Sequence, residues 1–132
     1  GEIPRVIDFE KPDPIGKQQI GDHLTDDYLL DDSALVYQGE AGIYIITGCS
    51  HSGICNIIEY AKTVTGDQRV WGVMGGFHLF EVNDRVAQTI DYFKNNQIDQ
   101  IYPCHCTAFA VKATIHSRIP IVEVGVGLEL VW

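Results

Sequence analysis

The chain has 132 residues, 45% of them hydrophobic and 20% charged, and a formal net charge of −9. That size and balance fit one folded domain with a modest core, and without a Lys/Arg cluster they exclude a surface that tracks nucleic-acid phosphates. No apolar run approaches the roughly 18–20 residues that span a bilayer, which excludes a membrane-spanning helix. In chain order, residues 1–32 read as an irregular acidic arm: Pro4, Pro12 and Pro14 break regular structure, and Asp22, Asp26, Asp27, Asp31 and Asp32 load it with charge. From Ser33 the pattern tightens, so 33–132 is the expected folded unit. Residues 34–38 and 43–47 read as a hairpin around a turn bounded by Gly39 and Gly42. Ile54, Ile57, Ile58 and Ala61 then follow helical spacing up to Gly66. A strand at 70–74 runs into Gly75 and Gly76. Asn83 is a good N-cap for a helix that buries Val86, Ile90 and Phe93. A strand at 98–102 is cut by Pro103, and Thr107 can cap a third helix reaching Ser117. Strands at 121–124 and 128–132 close the chain. The alternation predicts right-handed crossovers and a mainly parallel central sheet, and four consecutive apolar residues at 43–46 fit a strand covered on both faces.

The start of the chain lacks the basic-then-apolar pattern of a secretory signal. The four cysteines, Cys49, Cys55, Cys104 and Cys106, form no C-x-x-C pair. The expectation is a cytoplasmic protein with reduced thiols.

His51, His78 and His105 are 27 residues apart in each step. A strand, a helix and their loops take about 30 residues, so each histidine falls in the loop after a strand of successive βα units. In a parallel sheet those loops share one rim, where ligands bind. Three neutral imidazoles converging there suit zinc, iron, manganese or nickel. His23, in the acidic arm, and His116, near a helix C-terminus where positive charge is favourable, need no chemical role. Cys104 and Cys106 flank His105, so a Cys-His-Cys knot is conceivable, but adjacent positions rarely reach one ion together and packing is the preferred reading. Cys55 falls on the first helix and reads as core. Cys49 is a nucleophile only if a base lies within hydrogen-bond reach. Asp31 and Asp32 read as solvated loop acids, with support of a metal ligand as the alternative.

The segments TGCSHSGI (47–54), VMGGFHL (73–79) and YPCHCT (102–107) resemble the metallo-β-lactamase-fold hydrolases. With GEIPR (1–5) and DDSAL (31–35), they are similar to the subgroup of 7,8-dihydropterin-6-methyl-4-(ribofuranosyl)-aminobenzene-5′-phosphate synthases. The resemblance implies an α/β fold: the C-terminal half of an αββα sandwich, one mixed sheet with helices on one face. It implies that His51 ligates one metal of a dinuclear pair and His105 the other. Many relatives carry a glycine-aspartate whose carboxylate bridges the ions, but Gly76 stands at that position here. His78 is thereby left as a ligand or substrate contact and is the candidate catalytic residue. The family's H-x-H-x-D-H motif is absent, with only Asp22-His23 as an echo. The implied complete enzyme is a hydrolase with two divalent ions, zinc or else iron or manganese, whose activated hydroxide attacks a phosphorylated or pterin-like small molecule. This chain would be inactive alone, and its partner would be the N-terminal half of the same fold or a second copy in an oligomer. The alternative is a non-catalytic remnant of the fold used for assembly.

Overall fold

The structure is a computed structural model that describes residues 2–11 and 13–131. Pro12, read above as a breaker, and Trp132, read as the end of a last strand, lie outside the described residues, as does Gly1.

Strands β1 (Gly16–Ile20) and β2 (His23–Asp27) form a separate antiparallel hairpin. Residues 1–32 are therefore not irregular throughout. Gly21, at φ 60°, makes the turn, and Lys17 opposite Asp26 forms an ion pair across it. The pairing carries no apolar periodicity because most of its side chains face solvent.

The main sheet has the order β3 (Ala34–Gly39), β4 (Gly42–Thr47), β5 (Val70–Gly75), β6 (Gln100–Pro103). The pair β3/β4 is the expected antiparallel hairpin, and β4, β5 and β6 run parallel. Pro103 pairs on β6, which an edge strand tolerates. Helices α1 (Ile54–Thr65), α2 (Asp84–Asn95) and α3 (Phe109–His116) follow β4, β5 and β6. The α1 helix ends at Gly66, in the left-handed conformation, and Asn83 Oδ1 caps α2 by accepting from Val86 N.

Register sorts the sheet into two faces. Val36, Ile45, Val73 and Ile101 are aligned across the four strands. They pack with Ile54, Ile57 and Ile58 of α1, Val86, Ile90 and Phe93 of α2, and Val111 and Ile115 of α3 in one core cluster. Each fully buried aliphatic side chain there contributes about 1.5–3 kcal/mol. The neighbouring row, Leu35, Ile46, Met74 and Tyr102, faces the other way. On that side Leu35 is 72%, Tyr37 51% and, at the bulge in β5, Trp71 48% exposed. All three helices thus cover one face of one mixed sheet, and among the described residues no helix is long and apolar enough to cross a membrane.

Two expected features differ. Residues 121–124 and 128–131 form no strand. Val122 N donates to Ile101 O, but Pro120 has no N–H and the Gly125–Leu128 turn, closed by Leu128 N to Gly125 O, leads the chain away. Thr107 does not cap α3. It makes a bridge with Leu79, its hydroxyl accepts from Phe77 N at 3.0 Å, and the helix starts two residues later.

The N-terminal arm is tied to α1. Val6 N and Ile7 N donate to Asn56 Oδ1 at 2.7 and 2.8 Å. The fully buried Glu10 accepts from Cys55 N and Asn56 N at 3.0 and 2.8 Å. Its carboxylate satisfies the free N–H groups at the start of α1, where negative charge is favoured. Burial raises the Glu10 pKa, opposed by those two N–H groups and by the Arg85 charge. Gly53 is required at this junction: its φ is 97°, and a Cβ there would lie 2.3 Å from Glu10 Oε2.

Candidate metal centre

Because β4, β5 and β6 are parallel, the loops holding His51, His78 and His105 all leave the same end of the sheet. They meet there as two adjoining groups.

The first group is Asp32, His51 and His78. Ser52 N and Ser52 Oγ both donate to Asp32 Oδ2 at 2.6 Å, and His51 Nδ1 lies 3.1 Å from Asp32 Oδ1. Burial alone would raise the Asp32 pKa, but the Ser52 hydrogen bonds and then His51 outweigh it and hold the carboxyl below its usual range. A carboxylate can only accept, so His51 Nδ1 donates to it, which leaves Nε2 as the ring nitrogen available to a metal. This is how a carboxylate orients a metal-binding imidazole. The His51 and His78 rings meet edge to face at 4.9 Å. His78 sits at φ 51° with Nδ1 buried and without a hydrogen-bond partner. Burial lowers its pKa, with smaller effects of His51 and Arg85 in the same direction, which favours the neutral, electron-donating ring. The two imidazoles border a cavity of about 350 Å³, lined also by Asp13, Ile15, Phe80 and Arg85.

The second group is Cys49, His105 and Cys106. His105 Nε2 lies 3.1 Å from Cys49 Sγ, and Cys106 Sγ donates to Cys49 O at 3.4 Å. The two sulfurs and an imidazole nitrogen all lie within 4.8 Å of one another. Burial, and then the neighbouring Cys49 and Cys104, push the Cys106 thiol up to about 11, against a backbone hydrogen bond from His78. Cys55 is fully buried.

The loops are held in costly conformations. Ser50, His78 and Cys106 have φ of 60°, 51° and 44°, each costing about 1–3 kcal/mol and characteristic of functional sites. Ser50 offsets its strain by donating from Oγ to Gly76 O at 2.6 Å, which joins the β4 and β5 loops.

The structure thus pairs His51 with His78 and sets His105 beside Cys49, two positions before His51. Sequence reasoning weighed Cys106 beside His105 only in a knot with Cys104 and preferred packing for it, and it missed Cys49 as a partner of His105. The available signal was their place in the same loops as the rim histidines. His23 lies on β2 and His116 ends α3, where His116 Nδ1 accepts from Ile121 N.

No family model matches the chain. It is 40% identical over 111 residues to an uncharacterized protein of Methanocaldococcus jannaschii, a match covering 83% of this chain and 39% of that protein. It is 34% identical over 113 residues to the 7,8-dihydropterin-6-methyl-4-(β-D-ribofuranosyl)-aminobenzene-5′-phosphate synthase of the same organism, covering 83% and 38%. The chain therefore spans about two fifths of the length of these curated relatives. Among solved structures it matches a metal-dependent hydrolase of the β-lactamase superfamily with a TM-score of 0.80 and 28% identity, over 95% of this chain and 50% of that one. The fold is of the metallo-β-lactamase type.

Proposed function

We propose that the chain is the C-terminal half of a metal-dependent hydrolase of the metallo-β-lactamase superfamily, in the dihydropterin-related subgroup, acting on a phosphorylated or pterin-like small molecule. One observation carries this reading: an imidazole oriented by a buried carboxylate, His51 on Asp32, stands at the same rim as a second imidazole with an unpartnered buried nitrogen and as the Cys49–His105–Cys106 group. These donors fit divalent zinc, iron or manganese. His51 and His105 would hold the ions. Bound there, divalent ions supply Lewis acidity, acidifying water and polarising a phosphoryl or carbonyl oxygen. Asp32 fixes the His51 ring, Ser52 fixes Asp32, and His78 faces the cavity as the candidate catalytic contact to substrate. The name of the 34%-identical relative supports the substrate class.

The chain alone is expected to be inactive, because beside the Cys49–His105–Cys106 group only His51 and His78 remain for a second ion, short of the three protein ligands a catalytic zinc takes. The open sheet face around Leu35, Tyr37 and Trp71 supports a second layer, from the N-terminal half of the same fold or a second copy. The test is hydrolysis of a phosphodiester and of phosphorylated pterins by the protein carrying both halves. Turnover should depend on added divalent metal, fall to background in His51→Ala and His105→Ala, and persist in His116→Ala. Turnover that survives either of the first two changes contradicts the reading.

A further inference from the structure

We propose that Cys49, His105 and Cys106 form a cation site with two thiolates and one imidazole, which takes one zinc-like divalent ion and leaves its fourth position open. The inference rests on the reading of His105 as a ligand and adds the two thiols to it.

The geometry is close to what an ion requires. Zinc–sulfur and zinc–nitrogen distances of about 2.3 and 2.0–2.1 Å place tetrahedral ligand atoms roughly 3.5–3.8 Å apart. The three ligand atoms already lie within 4.8 Å of one another, with Cys49 Sγ and His105 Nε2 at 3.1 Å, so adjustments of about 1 Å complete the site. Two thiolates and a neutral imidazole balance the charge of a divalent ion, and soft sulfur donors favour zinc over magnesium or calcium. His105 is exposed and the two cysteines are half-buried, so the open position faces solvent.

The surrounding backbone is built around this group. A Cβ on Gly76 would lie 2.4 Å from Cys106 Sγ and 2.9 Å from His105 Cε1. Only a residue without a side chain lets the β5 loop pass under the cluster, and Ser50 holds that loop through Gly76 O. Cys106 adopts φ 44° to aim its sulfur back at the β4 loop. The neighbouring Cys104 is excluded by the ring itself: its Sγ lies 3.9 Å from His105 Nδ1, whereas Cys49 approaches Nε2. An ion on Nε2 is on the wrong edge of the imidazole for Cys104. A Cys49–His105 nucleophilic dyad is the rival use of the same contact, but it gives Cys106 no task.

The test is cobalt(II) titration of the reduced protein, read by thiolate-to-cobalt charge-transfer absorption. The wild type should develop the band. Cys49→Ser and Cys106→Ser should each lose roughly half of its intensity, since each removes one of two sulfur ligands, and the double variant should lose it all. Cys104→Ser should keep the band, and so should His51→Ala. Circular dichroism checks that each variant is folded. Where one is not, alkylation of the wild type with iodoacetamide substitutes: zinc should protect Cys49 and Cys106 and leave Cys104 reactive. Cobalt binding without the band, a band that follows Cys104, no cobalt binding, or Cys49 alkylating equally fast with and without zinc overturns the proposal. Failure of the hydrolytic reading looks different: the band forms, but metal brings no phosphodiester turnover.

Discussion

Replacing Asp32 by Asn separates the chemistry of the rim from its stability. Asp32 Oδ2 takes two hydrogen bonds from Ser52 at 2.6 Å, and Oδ1 meets His51 Nδ1 at 3.1 Å. In Asp32→Asn the carboxamide oxygen can still accept from Ser52, while the NH₂ group occupies the place of Oδ1 and can only donate. It can pair with His51 only if Nδ1 gives up its proton, which moves to Nε2 and removes the lone pair a metal needs. Trading charged hydrogen bonds worth about 1.5–3 kcal/mol for neutral ones worth about 0.5–1.5 should cost about 1–2 kcal/mol of stability. Asp32→Ala is worse for the fold, because the buried Ser52 N–H and hydroxyl lose their acceptor at about 1–3 kcal/mol each. Metal affinity should fall about 10–100-fold in both variants, the usual effect of losing such a supporting carboxylate. The Asp32 pKa is depressed in the fold, so its contribution is present above its unfolded pKa and is lost as pH falls through the folded value. Wild type and Asp32→Asn should therefore converge in acid. Urea unfolding and metal titration by calorimetry read the two quantities. An Asn variant that binds metal as tightly as wild type, or affinity that falls only in step with stability across both variants, refutes the tautomer argument.

Glu10 carries the opposite pH signature. Its raised pKa gives a contribution fully present below the unfolded value and lost as pH rises through the folded one, so wild type should lose stability relative to Glu10→Gln over that rise in paired urea titrations. Gly53→Ala should destabilise by at least about 1–3 kcal/mol from the backbone conformation alone, and more once its Cβ displaces Glu10, measured as a lower urea midpoint. Leu35→Lys with Trp71→Lys should reduce self-association of the isolated chain in sedimentation, because exposed apolar patches drive association; unchanged association would place the contact elsewhere.

Much of the fold was legible because periodicity and punctuation agreed. The β3/β4 hairpin, Gly66 and Asn83 as helix ends, and the three βα units all follow from local pattern. The β1/β2 hairpin was not legible, since strands such as Gly16–Ile20 with most side chains in solvent show no alternation; the Gly21-Asp22 pair was its one signal. The terminal strands were over-read because Val122 and Val124 suit a sheet, but Pro120 and the Gly125–Leu128 turn limit pairing. At the rim, equal spacing was enough to place His51, His78 and His105 at the same end of the sheet, but not to sort them into a His51–His78 pair and a His105–Cys49 contact. The grip of Asp32 on His51 was open as one alternative only. The approach of Cys49 to His105 spans 56 positions and depends on β5 lying between β4 and β6, which no local pattern encodes. The same holds for Glu10 reaching Cys55 and Asn56.

The central claim is that this rim holds divalent metal through His51 and His105. Elemental analysis of the purified protein, before and after dialysis against chelator and re-addition of zinc, tests it directly. On the proposed reading the protein with both halves retains two ions, His51→Ala and His105→Ala each lose at least one, His116→Ala loses none, and the 132-residue chain alone retains at most one. Full metal content in either His51→Ala or His105→Ala, or two tightly held ions in the isolated chain, would contradict it.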